Sequence, residues 1–301
     1  METILEIQGL GKKYHGKPVL NDVNMRINKG DIYGFVGKNG AGKTTLIRII
    51  SGLTAKSDGS FSLFGIPDTD KRIIQARKKI CSMVEAPAIY PELTATDNMK
   101  MQCMITRHDY SCISELLAFV GLDQTGKKKA KDFSLGMRQR LGIAMALVND
   151  PELMLLDEPI NGLDPEGIRQ IRELLLKMHE EKQVTILISS HILSELSLFA
   201  TRYCFIDHGV IIKESTIDDI TGETGETCLL RTNDNSKAVF VLKSLGYDCN
   251  LKDDGVFVKS DVDLMRVCAL FEKEGIRLLK HIASQVDLEG YFMNLIEGEG
   301  Q

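Results

Sequence analysis

The sequence has no Cys-x-x-Cys pair, no excess of basic residues and no apolar segment long enough to span a membrane. Its seven cysteines are scattered, which argues against a disulfide framework or a structural zinc site. The net charge of -5 gives no overall positive field for nucleic acid. Apolar runs such as Leu153–Leu156 are far shorter than the roughly 20 residues that a membrane helix needs. The N-terminal residues also lack the pattern of a signal peptide, so we expect a cytoplasmic protein that does not cross a membrane by itself.

The length and composition do allow a sizeable core. The chain has 301 residues, of which 43% are hydrophobic and 26% are charged, as is ordinary for a globular protein. This length suits one large domain followed by a smaller one.

A glycine-rich segment lies between a predicted strand over 31–36 and a predicted helix over 44–50. It fits the pattern G-x-x-x-x-G-K-[ST] at every fixed position, and its backbone N–H groups can approach phosphate oxygens closely. Lys43 is expected to reach the β- and γ-phosphates, and the Thr44 hydroxyl to bind Mg²⁺. We therefore predict that ATP contacts Gly37, Lys38, Asn39, Gly40, Ala41, Gly42, Lys43, Thr44 and Thr45.

Two acids follow the apolar run Leu153–Leu156. A buried strand that ends in a carboxylate can place Asp157 near Mg²⁺, directly or through water, and Glu158 can then act as a general base toward the attacking water. An isolated Asp-Glu pair would more simply be a solvated turn. Opposite a phosphate loop, the functional interpretation is favoured.

Residues 133–140 open a further predicted helix with the sequence Phe-Ser-Leu-Gly-Met-Arg-Gln-Arg. Ser134 is a favourable N-cap residue, and Gly136 keeps the first turn open to a phosphate. The segment resembles the Leu-Ser-Gly-Gly-Gln signature of ATP-binding-cassette (ABC) ATPases, from which it departs at two positions. The resemblance implies that Ser134, Gly136 and Gln139 contact the γ-phosphate held by the phosphate loop of a second subunit.

Other elements of the same family follow in order. Tyr14 resembles the aromatic residue that stacks on adenine, although surface packing is the simpler alternative. Asp164 resembles the acid of the loop that communicates across the dimer, and His191 resembles the switch histidine that contacts the γ-phosphate. These motifs cover residues 1–220.

The family implies an α/β fold of the P-loop NTPase type, with a mixed β-sheet core, an antiparallel β subdomain and a helical insertion over about 86–150. Residues 221–227 are polar and rich in Gly and Thr, which favours a linker. The remaining chain, 221–301, predicts a small α+β domain with a ferredoxin-like order of elements.

One departure from the family pattern indicates a particular subgroup of ABC ATPases. Glu85 stands where the family usually has a glutamine that senses Mg²⁺ and the attacking water, so we assign Glu85 a place at the cation and in catalysis. A neutral exchange that only keeps an oxygen ligand is the alternative. The segment 85–91, with Glu-Ala-Pro before Tyr-Pro, and the C-terminal segment 287–292 resemble the ATPase subunits of bacitracin-resistance and lantibiotic-immunity exporters.

The resemblance implies an ATPase, dependent on ATP and Mg²⁺, that powers export of a peptide antibiotic or a related drug-like or lipid-like substrate. Its expected partners are a second ATP-binding subunit, most simply an identical copy, and integral membrane permease subunits at the cytoplasmic face of the membrane. Nucleic acid is not expected, and the basic run 127–131 is interpreted as a solvated loop. A non-transport ABC ATPase that acts on nucleic acid or ribosomes is the alternative. It is disfavoured because the chain has neither a coiled coil nor a second cassette.

Overall fold

The chain folds into two units in a computed structural model that describes residues 2–224, 228–252, 255–258, 262–282 and 288–298. The large unit comprises residues 1–192 and 199–214, and the small unit comprises residues 193–198 and 215–301. Across the described residues, every helix is too short or too polar to span a bilayer.

The large unit contains ten strands and six α-helices among the described residues. The strands are β1 (Thr3–Tyr14), β2 (Lys17–Asn28), β3 (Ile32–Val36), β4 (Asp58–Leu63), β5 (Ile66–Pro67), β6 (Ile80–Met83), β7 (Leu153–Asp157), β8 (Thr185–Ser190), β9 (Arg202–Asp207) and β10 (Val210–Thr216). The helices are α1 (Lys43–Ile50), α2 (Ile73–Arg77), α3 (Ala95–Thr106), α4 (Ile113–Phe119), α5 (Leu135–Leu147) and α6 (Pro165–Lys182), with short 3₁₀ turns at Asp123–Thr125 and Ala130–Asp132. Strand β10 ends within the small unit.

Two sheets organise the large unit. The central sheet has six strands in the order β10-β9-β3-β8-β7-β6, and its pairs from β9 through β6 are parallel. The second sheet has the order β2-β1-β4-β5, and its neighbours are antiparallel. The predicted α/β fold with an antiparallel β subdomain is therefore confirmed.

The inner strands of the central sheet are apolar because both of their faces are covered. Every residue of β3, β7 and β8 is buried. Helix α6 connects β7 to β8, and these two strands are parallel neighbours in the sheet. The carboxyl ends of β3, β7 and β8 therefore lie at one edge of the sheet, where open parallel sheets bind ligands.

Helix α1 connects the two sheets. Its Leu46 and Ile47 are fully buried in one cluster with Leu5 and Phe61 of the antiparallel sheet and Phe35 of β3. Burial of each such side chain contributes about 1.5–3 kcal/mol. The helix that follows the phosphate loop is therefore fixed by packing from both sheets.

Helices α3, α4 and α5 lie between β6 and β7 in the sequence, within the range predicted for a helical insertion. The basic run beside them forms ordinary surface contacts, since Lys129 and Lys131 both pair with Glu92. All seven cysteines are free, and burial raises the pKa of the Cys81 thiol to about 11, which makes it unreactive.

The small unit contains α7 (Leu193–Leu196), α8 (Ile217–Thr224), β11 (Cys228–Thr232), α9 (Asn235–Ser244), β12 (Cys249–Lys252), β13 (Gly255–Val258), α10 (Leu264–Lys273), β14 (Leu278–Ile282) and α11 (Leu288–Gly298). Its sheet has the order β12-β13-β11-β14 with antiparallel neighbours. From β11 to β14 this is the ferredoxin-like arrangement that the sequence predicts.

The ends of several predicted elements fall on residues outside the described ranges. Of the predicted linker, residues 221–224 form the end of α8, and residues 225–227 are not described. Asp287, which begins the C-terminal motif, is also outside those ranges.

Candidate active site

The glycine-rich loop connects the end of β3 to the start of α1. Gly42 is the N-cap of α1 and has a left-handed φ of 110°. A Cβ on Gly42 would lie 2.6 Å from Leu20 Cδ2, and a Cβ on Gly37 would lie 2.5 Å from the Ile206 carbonyl oxygen. The close approach of neighbouring chain segments therefore requires both glycines. The loop encloses a pocket of about 220 Å³, whose wall residues are Val19, Asn39, Gly40, Ala41, Gly42, Lys43, Thr44, Thr45 and Glu158.

Lys43 is buried inside this loop. Its ammonium donates hydrogen bonds to the carbonyl oxygens of Gly37 and Lys38, the latter at 3.2 Å. Its Nζ also lies 3.2 Å from Glu158 Oε1. A buried ammonium needs such partners, because an unpaired charge is strongly unfavourable away from water.

Thr44 and Asp157 meet at the neighbouring position, where α1 begins and β7 ends. The Thr44 hydroxyl donates to Asp157 Oδ2 at 2.7 Å. The other carboxylate oxygen, Asp157 Oδ1, accepts from the Ser189 hydroxyl at 2.7 Å. Thus a hydroxyl and a carboxylate, both oxygen ligands suited to Mg²⁺, lie side by side beside the phosphate loop.

Glu158 contacts both the phosphate loop and the end of β8. Besides its contact with Lys43, its carboxylate oxygen Oε2 lies 2.8 Å from Nδ1 of His191. Its backbone N–H donates to the hydroxyl and the carbonyl of Ser189 at 3.0 and 3.2 Å. Its φ of 50° lies in the left-handed region, which is unfavourable for a non-glycine residue. The surrounding contacts hold this carboxylate between a lysine and an imidazole.

His191 therefore has a defined orientation. An ionised carboxylate only accepts hydrogen bonds, so Nδ1 is the donor in the contact with Glu158. Nε2 can then donate to a second anion only in the imidazolium form. This ring is suited to act between Glu158 and a phosphate oxygen.

Ser189 is a site residue for which the sequence analysis assigns no role. It is fully buried, it donates to Asp157 and it accepts from the Glu158 N–H. These contacts follow from the parallel register that places Asp157 opposite Ser189. The sequence shows a serine near the end of a strand, but it does not show which residue of the neighbouring strand lies beside it.

The signature residues lie on α5. Ser134 caps that helix by accepting from the Met137 N–H at 3.2 Å. A Cβ on Gly136 would meet no atom closer than 3.7 Å, so its own chain does not require a glycine there. Gln139 is buried, and its Oε1 has no hydrogen-bond partner among the described residues. None of the three signature residues is among the described residues that line the phosphate-loop pocket.

Asp164 and Tyr14, for which the sequence predicts roles at the dimer contact and at adenine, both form local contacts. Asp164 is the N-cap of α6 and accepts from the Gly167 N–H at 3.1 Å. Tyr14, at the end of β1, is 39% exposed, and the Lys12 ammonium lies 4.7 Å from the centroid of its ring. An exposed ring at this position is available for stacking.

Glu85 forms a contact that was not expected. Its carboxylate pairs with Arg48 of α1 at 2.5 Å, and its side chain is 67% exposed. Its φ of 64° is in the left-handed region. The segment after Glu85 packs against α5, where the absence of a side chain on Gly142 leaves room for Pro87.

Comparisons with known proteins agree with this geometry. Residues 20–161 match the sequence model of the ABC transporter family. The bacitracin transport ATP-binding protein BcrA of Bacillus licheniformis is 38% identical to this chain over 303 residues, which is 99% of each protein. The chain belongs to the ABC transporter ATP-binding proteins.

A second relative and a solved structure support the assignment of this chain to the ABC ATPases. The lantibiotic transport ATP-binding protein SrtF of Streptococcus pyogenes is 46% identical over 215 residues, which is 71% of this chain and 92% of that protein. A dimeric ATP-binding cassette solved in a post-hydrolysis state with ADP and Pi has a TM-score of 0.63 and 26% identity, covering 71% of this chain and 98% of that one. The predicted family, the nucleotide-binding fold and the ATPase activity are confirmed.

The role of Ser189 in this ABC ATPase can be tested by substitution. We expect Ser189→Ala to lower the rate of ATP hydrolysis about tenfold or more, because a hydrogen bond to a charged group contributes about 1.5–3 kcal/mol and 1.4 kcal/mol is tenfold in rate. Phosphate release at saturating ATP is the measurement, with thermal unfolding to verify the fold. Ser60→Ala, at an exposed serine of β4, is the matched control. A wild-type rate in Ser189→Ala would contradict the assignment.

Proposed function

We propose that this ABC ATPase powers export of a peptide antibiotic, or of a related drug-like or lipid-like molecule, through a separate membrane permease. The observation that carries the catalytic part is the convergence of Lys43, Glu158 and His191 beside the phosphate loop, where Glu158 forms an ion pair with Lys43 and a hydrogen bond with His191. The observation that supports the substrate class is similarity over nearly the whole chain to a protein named for bacitracin transport.

Each site residue has a role in this proposal. Lys43 would bind the β- and γ-phosphates, and Thr44 and Asp157 would hold Mg²⁺, which when bound neutralises phosphate charge. Glu158 orients and deprotonates the attacking water. His191 holds Glu158 on one side and a γ-phosphate oxygen on the other, while Tyr14 stacks on adenine.

The proposal requires two copies of the chain. Ser134 and Gly136 lie outside the phosphate-loop pocket of their own chain, and a Cβ on Gly136 would make only ordinary van der Waals contacts there, at 3.7 Å or more. The helix N-terminus that Ser134 caps is suited to an anion. A relative of the same fold is described as a dimer. We infer that Ser134, Gly136 and Gln139 of one copy complete the phosphate site of the other, with Asp164 at the dimer contact.

A groove in the large unit is the proposed docking place of the permease. It has a volume of about 320 Å³ and is lined mainly by small and apolar residues from β6, α3, α5, the turn after α1 and the segment after Glu85, including Leu53, Met83, Pro87 and Met145. A short apolar segment of the permease that faces the cytoplasm fits this groove. Docking there would place the ATPase at the cytoplasmic face of the membrane and put the permease beside Glu85.

The general-base role is tested by Glu158→Gln. We expect hydrolysis to fall at least a hundredfold while ATP remains bound, because general-base catalysis contributes about 10²–10⁴ in rate. Single-turnover hydrolysis and retention of labelled ATP are the measurements. Glu152→Gln makes the same chemical change beside β7 at a residue that pairs with Lys79, and it is expected to retain activity. Undiminished turnover in Glu158→Gln would show that Glu158 is not the base.

The proposed role of Glu85 is tested separately. We expect Glu85→Gln to bind ATP normally but to change the stimulation of hydrolysis by the permease, because it removes the charge that pairs with Arg48 of α1, the helix that follows the phosphate loop. ATPase rates with and without the reconstituted permease are the measurement. Glu92→Gln, at an exposed glutamate that pairs with Lys129, is the control. Unchanged stimulation and unchanged transport would remove the special role of Glu85.

A further inference from the structure

The helix that follows the switch histidine belongs to the small unit. The chain leaves the large unit after Ile192 and returns to it at Phe199, and the residues between, 193–198, group with the small unit. Helix α7 occupies the first part of this segment. A single residue, Ile192, therefore separates His191 from the small unit.

Helix α7 depends on packing for its position. It has four residues, and isolated helices of this length are not stable in water. Its Leu193 and Leu196 are buried, and the helix contacts α11. A short helix anchored in this way moves with the helix against which it packs.

Helix α11 presents one apolar stripe. Leu288, Tyr291 and Phe292 are spaced at i, i+3 and i+4, which places them on one face, and all three are buried. Met293 is 45% exposed on another face of the same helix. The buried stripe is the part of α11 that can hold α7.

The connection from α7 to the imidazole is short. The Ile192 N–H donates to the Ser190 hydroxyl at 2.9 Å, and His191 contacts Glu158 at 2.8 Å. Consecutive Cα atoms have a fixed separation of about 3.8 Å, so the Cα atom of Leu193, where α7 begins, stays within about 7.6 Å of the His191 Cα atom wherever α7 lies. A misplacement of about 1 Å in a catalytic arrangement can change a rate by about 10²-fold.

We propose that α11 positions the switch histidine: Tyr291 and Phe292 hold α7, and α7 fixes the His191 imidazole against Glu158. This inference rests on the roles proposed above for His191 and Glu158. It makes Tyr291 and Phe292 positioning residues that act on hydrolysis without touching the nucleotide. The small unit then sets how well the ATPase turns over and leaves ATP binding to the phosphate loop.

A double-mutant cycle with the full-length chain tests the proposal. We expect Phe292→Ala to lower kcat for ATP about tenfold while KM changes less than twofold. In the His191→Ala background, the same substitution is expected to lower kcat by less than twofold, because the residue through which it acts is already lost. Effects that multiply in the two backgrounds, or a wild-type kcat in Phe292→Ala, would overturn the proposal.

Two controls separate positioning from general damage. Met293→Ala changes an exposed residue of α11 and should leave kcat unchanged. Val267→Ala weakens a hydrophobic cluster of the small unit whose described residues include none from α7 or α11 and in which Val267 is fully buried. This substitution should lower the thermal stability of the small unit without lowering kcat. An equal loss of kcat in Val267→Ala would show that the small unit matters only by being folded, which also overturns the proposal.

The cycle also separates this inference from the proposed function. A wild-type kcat in His191→Ala would refute the role of His191 itself, and the inference would fail with it. A lowered kcat in His191→Ala, with multiplying effects of Phe292→Ala, would refute the inference alone.

Discussion

The structure of the site depends on a buried lysine at a place where three parallel strands end. The Lys43 ammonium lies inside the phosphate loop and pairs with Glu158, which also contacts His191. A buried charge without partners would destabilise the fold by several kcal/mol, so the carboxylate at the end of β7 and the loop after β3 are mutually dependent. Ser189 fixes the same carboxyl end from β8 through its contacts with Asp157 and Glu158.

This arrangement has a direct consequence for catalysis. In the proposed mechanism, phosphates in the loop and the Glu158 carboxylate both bind the Lys43 ammonium, so phosphate binding competes with the ion pair between Lys43 and Glu158. Since His191 contacts the other oxygen of the same carboxylate, Glu158 keeps one fixed partner during this competition. Binding of the substrate and readiness of the base are in this way linked through a single side chain. The small unit can affect that link because α7 begins immediately after Ile192.

The sequence predicted those parts of the site that depend on local pattern. The phosphate loop, Asp157 and Glu158 each follow an apolar strand, and their spacing needs no tertiary information. The role of Ser189 depends on strand register, and the pair between Glu85 and Arg48 joins distant segments, so neither was predictable from pattern. Strands β9 and β10 were not predicted, and the grouping of residues 193–198 with the small unit is a long-range packing effect.

The central claim is that the active site is divided between two copies of the chain. Its most direct test mixes a Lys43→Ala chain, which has a defective phosphate loop, with a Gly136→Asp chain, which has a defective signature turn. A Cβ on Gly136 would meet no atom closer than 3.7 Å, and thermal unfolding verifies that the Gly136→Asp chain folds. Each variant alone should lack activity, whereas the mixed dimer contains one site built from two intact halves and should recover ATP hydrolysis. Failure of verified mixed dimers to exceed the separate variants, or a wild-type rate from Gly136→Asp alone, would contradict the account.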